Sequence, residues 1–104
     1  MATRAAVRVA AVLARQPGLG TAELRAAVRT EAGMGKDRLL AALLVLGPAV
    51  VRRPAAHGKL NHYLDGQRLP DDVLKAMSSL SAEDQARVYG ARPPAADENA
   101  EDVA

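Results

Sequence analysis

The chain contains no cysteine, no tryptophan and no phenylalanine, and its only aromatic residues are Tyr63 and Tyr89. Without cysteine there is no disulfide framework, no thiol nucleophile and no thiolate metal site. With aromatics this scarce, the core has to be built from leucine, valine, methionine and alanine. No apolar run approaches the roughly 20 residues that cross a bilayer. No charged start with an apolar stretch and a small-residue cleavage site resembles a signal peptide. The expectation is a soluble cytoplasmic protein without a membrane partner. The Ala/Arg-rich, Lys-poor usage points to a bacterium of high G+C content.

Catalytic patterns are missing too. Serine occurs only at 78, 79 and 81, beside no glycine elbow, and no carboxylate pair lies in an apolar setting. Gly33-Met34-Gly35-Lys36 lacks the length of a phosphate loop and its following Ser or Thr. His57, His62 and Asp65 show no recognised metal-ligand spacing. No enzyme, metal or cofactor is expected.

Acidic residues are few where basic ones are many. Residues 1–68 hold eleven Lys or Arg against Glu23, Glu31, Asp37 and Asp65, although the whole chain is only +2. Residues 93–104 hold four acids and no base. A basic body with an acidic tail points to a polyanionic partner. At 104 residues the chain is one small core-forming unit.

The stretch from Gly33 to Leu64 is expected to organise the rest. Lys36 to Leu46 is rich in helix formers, with leucines at 39, 40, 43, 44 and 46. Gly47 and Pro48 stop that helix. Val50 onward reads as a strand, Ala56-His57-Gly58-Lys59 as a turn, and Leu60 to Leu64 as the returning strand. Before it, Ala2 to Arg15 reads as a first helix with Ala6, Val9, Val12 and Leu13 on one stripe. Gln16-Pro17-Gly18 ends it, and Leu19 is placed to pair briefly with the hairpin. Thr21 reads as the N-cap of a second helix that buries Leu24, Ala27 and Val28. Arg25 and Arg29 lie one turn apart on its other side.

The order LARQPGLGTAEL, GMGKDRLLAALLVLG and VVRRP…HGK…HYL resembles the winged helix-turn-helix DNA-binding domain of bacterial transcriptional regulators, over about residues 5–65. The fold class expected is mainly α with a small β-hairpin: a winged helix-turn-helix plus C-terminal helices. The resemblance implies that the third helix enters the major groove of double-stranded DNA. Lys36 and Arg38 would then start the recognition helix, where arginine can pair with guanine. Arg25 and Arg29 would position the backbone. Lys59, with His57 beside it, would form the wing tip. Arg52 and Arg53 point to opposite faces of a strand, so one can face a duplex while the other covers an apolar edge. Beyond Arg38 the outward positions are expected to be Ala41, Ala42 and Val45, an apolar face that would also suit a protein partner. A non-specific architectural role on the nucleoid is the third alternative.

Three segments are expected: 1–68 the winged helix, 69–92 C-terminal helices, and 93–104 a disordered acidic tail. In the second, Pro70 with Asp71-Asp72 opens a helix carrying Val73, Leu74 and Met77, and Ser81 with Asp84 caps another that stops near Gly90. These helices either form a homodimer surface or close the open side of the core.

Overall fold

The computed structural model describes residues 2–95. Asp97, Glu98, Glu101 and Asp102 of the expected tail lie outside the described residues. In chain order the elements are α1 (Ala2–Arg15), α2 (Thr21–Ala32), α3 (Lys36–Leu46), β1 (Val50–Pro54), β2 (Leu60–Leu64), α4 (Asp71–Ala76) and α5 (Ala82–Gly90). The strands pair antiparallel, with Val50 opposite Leu64 and Pro54 opposite Leu60. Leu19 adds a single bridge to His62 on the other side of β2. The architecture is mainly α with a small hairpin, in winged-helix-like order: helix, short strand contact, two helices, hairpin, then C-terminal helices.

The organising element is α1, not the Gly33–Leu64 stretch. Ala5, Ala6, Val7, Val9, Ala10, Ala11, Val12 and Leu13 are all buried, leaving mainly Arg4, Arg8 and Arg15 on the water side. All the other α-helices and β2 pack against it. A helix that is apolar around most of its circumference belongs at the centre of a small protein. Its alanines let neighbouring backbones approach closely, which a close-packed interior without large aromatics requires.

The α2–α3 turn follows from local chemistry. Gly33 adopts φ 61°, its N–H bonds the Arg29 carbonyl at 3.1 Å, and the Met34 N–H reaches back to Val28 at 3.2 Å. This paired closure is the left-handed helix end that glycine permits, and Val28 and Met34 supply its buried apolar contact. The N-cap of α2 is Gly20 and not Thr21. Pairing of Leu19 with His62 carries the extended backbone through Gly20, and Glu23 Oε1 accepts the Gly20 N–H at 3.0 Å. Ser81 caps α5 as expected, its Oγ accepting the Asp84 N–H at 3.1 Å.

Residues 69–92 close the core. Leu69, Val73, Met77 and Val88 belong to the same buried cluster as α1, and Leu80 packs against it. Of the apolar residues expected to make a dimer surface, only Leu74 remains exposed. The closure is tight at Gly66, whose N–H bonds the Ala91 carbonyl at 2.9 Å.

Candidate nucleic-acid interface

Each cation of the expected interface has a defined place. Arg25 and Arg29 are exposed on α2 and share a face with Ala22 at spacings of three and four. The wing tip lies against the start of that face: Lys59 and Gly58 line a shallow cleft with Thr21, Ala22 and Glu23. The hairpin turn therefore meets the first turn of α2, one helical turn before Arg25. The link holding it there is the Leu19–His62 bridge.

Lys36 and Arg38 are exposed in the first turn of α3. Arg38 does not join the wing. It lines a cleft with Arg4 and Arg8 of α1, two residues outside the expected interface. Their common cleft depends on the packing of α1 across α3, which no local pattern encodes.

The strand arginines separate. Arg52 is exposed beside Leu40, Leu43, Leu44 and Gly47. Arg53 is half-buried on the opposite face, and its guanidinium donates to the Pro94 carbonyl at 3.3 Å, leaving its buried Nε without a partner. Arg53 thus ties down the chain after α5 and leaves the interface. At the turn, His57 is exposed with φ 62°, a left-handed conformation that histidine adopts more readily than most residues. His62 is buried, and its ring is committed to Leu19, so the two histidines do not converge.

The exposed face of α3 differs from the one expected. Ala42 is fully buried with Leu39 and Leu46, and Ala41 and Val45 are half-buried. Beyond Arg38 the exposed residues are Leu40 and Leu44, the latter 83% exposed. Ala42 packs inward because α3 approaches the alanine-rich α1, where leucines would hold the backbones apart. The outward stripe is apolar all the same, made of larger residues.

The ion pairs among the described residues involve Arg15 with Glu31 at 2.5 Å, Arg68 with Asp65, and Arg87 with Glu83 and Asp84. None uses Arg25, Arg29, Lys36, Arg38, Arg52 or Lys59. No protein-family model, curated protein or solved structure matches this chain.

Proposed function

We propose that the chain binds double-stranded DNA as a winged helix, in the manner of bacterial or phage-type transcriptional regulators. One observation carries the reading: Arg25, Arg29, Lys36, Arg38, Arg52 and Lys59 are exposed and outside every ion pair among the described residues, whereas Arg15, Arg68 and Arg87 are held by carboxylates. A cation already paired to a carboxylate gains little from a phosphate, whereas an unpaired one releases counterions from the duplex. Lys59, Arg25 and Arg29 supply backbone contacts, and Lys36 with Arg38 supplies the approach to base edges.

A second reading is favoured by a specific feature. Leu40 and Leu44 on α3, with Arg52 at their border, form an apolar face where a base-reading helix would carry polar groups. Such a face suits a protein partner or limits the helix to shape and backbone contacts. Gel shifts with random and genomic duplexes, at low and physiological salt, test both. DNA binding predicts retardation at low salt that weakens with a log–log slope of about −0.9 per phosphate contacted, for about four to six contacts. No retardation at low salt overturns it and favours the protein partner.

A further inference from the structure

We infer that the cleft between α1 and the start of α3 is a binding site for a phosphate-bearing anion, held by Arg4, Arg8 and Arg38. This cleft of about 250 Å³ is lined by those three arginines above Ala5, Ala32 and Met34. Ala5 and Met34 are buried, so the arginines stand on a fixed apolar base set by α1 and the α2–α3 turn. Arg4 and Arg8 are one helical turn apart, and Arg38 reaches the same space from a different element.

The neighbouring cleft shows why the anion belongs here. Arg4 and Arg8 also line a larger space of about 400 Å³ that contains Arg15, Glu31 and Asp84. There two carboxylates line the space beside the arginines, Glu31 paired with Arg15 and Asp84 with Arg87 from outside the lining, and both would repel an entering anion. On the Arg38 side no carboxylate lines the cleft; Asp37, next to Arg38 in the chain, is exposed outside it. Three guanidinium groups around one space repel one another until an anion enters. Guanidinium forks also match phosphate oxygens bidentately, which an ammonium does not. The shared chemistry is a phosphate group, supplied either by the backbone of a duplex or by a small phosphorylated molecule.

The test is nitrogen-15 NMR of the arginine Nε–Hε groups of the full chain at low salt, titrated first with pyrophosphate and then with a short duplex. Saturable shifts at Arg4, Arg8 and Arg38, with Arg25 and Arg29 unmoved by pyrophosphate, support the site. Arg8→Gln should weaken pyrophosphate about fivefold and Arg8→Lys by less, with amide spectra otherwise unchanged. If the duplex shifts the same three groups and pyrophosphate displaces it there, the phosphate is the DNA backbone's. If pyrophosphate saturates the cleft and the duplex leaves it unmoved, the ligand is a small phosphorylated molecule. Shifts that never saturate, or that spread equally over all exposed arginines, overturn the site. A duplex that moves Arg25 and Arg29 while neither probe moves the cleft overturns the site and leaves the DNA reading standing.

Discussion

His62 donates twice to the carbonyl oxygen of Leu19, through its backbone N–H at 2.8 Å and its ring Nδ1 at 2.9 Å. The carbonyl only accepts, so the ring proton is on Nδ1. Gly18 returns the pairing by donating to the His62 carbonyl at 2.9 Å. These bonds fasten the hairpin to the segment between α1 and α2. His62→Ala keeps the backbone bonds but loses the ring bond and buried volume. It should destabilise the protein by about 1–3 kcal/mol in urea unfolding. Weaker DNA binding with unchanged stability would mean that His62 acts at the interface and not as a fastener.

Gly47 and Gly66 fail for opposite reasons when a methyl is added. Gly47 has φ 53° and ψ −125°, a conformation hostile to other residues, but a Cβ there meets nothing within 4 Å. Gly47→Ala should therefore cost about 1–3 kcal/mol through backbone strain alone. Gly66 has no positive φ, yet a Cβ there overlaps the Val88 carbonyl oxygen and lies 2.8 Å from that of Tyr89. Gly66→Ala should displace α5 at a cost of about 1–3 kcal/mol or more. Amide hydrogen exchange separates them: only Gly66→Ala should deprotect α5.

Sequence reading and backbone positioning should separate under mutation. Arg38→Ala is expected to weaken a preferred site by about 1–3 kcal/mol and random duplex less. Lys59→Ala should weaken both equally, since a wing-tip ammonium meeting phosphate carries no sequence information. Arg53→Ala should affect stability more than affinity, because its guanidinium holds the Pro94 carbonyl. Fluorescence anisotropy with two duplexes checks all three; equal losses for Arg38→Ala would take Arg38 off the base edges and assign it to backbone phosphate in the cleft with Arg4 and Arg8.

Leu44 is 83% exposed, so Leu44→Gln should change stability by no more than about 0.5 kcal/mol. Light scattering then tests the apolar face of α3. A wild type that self-associates at tens of micromolar, on the order of ordinary assay concentrations, should become monomeric with Leu44→Gln if copies meet there. Persistence of the dimer, with its loss in Leu74→Asp, would assign the contact to α4.

The acidic segment should compete with phosphate. Residues 93–95 belong to the described fold, with Pro94 bonded to Arg53, so the informative truncation ends at Ala95 and removes Asp97, Glu98, Glu101 and Asp102. Exposed pairs contribute at most about 1 kcal/mol each and are screened by salt. Truncation should raise duplex affinity several-fold at low salt and little at high salt. Equal affinities at low salt would discard the competition.

The order and type of the elements were legible in the chain because their signals are local. Gly33 and Gly47 mark helix ends, Ser81 marks a cap, and Val50 onward marks a strand with a turn at His57-Gly58. The brief pairing of Leu19 was also expected, as a single extended residue between Gly18 and Gly20, too short for a strand of its own. Rotational phase was not. The third helix has apolar residues on every side, and periodicity cannot tell which stripe goes inward when alanines and leucines compete. Packing against α1 decided it, burying Ala42 and leaving Leu40 and Leu44 in water. The same packing brought Arg4 and Arg8 beside Arg38, and the passage of residues 91–95 decided which strand arginine remained free. Local backbone chemistry determines where elements begin and end. The close approach of elements far apart in the chain determines which of their faces meet a partner.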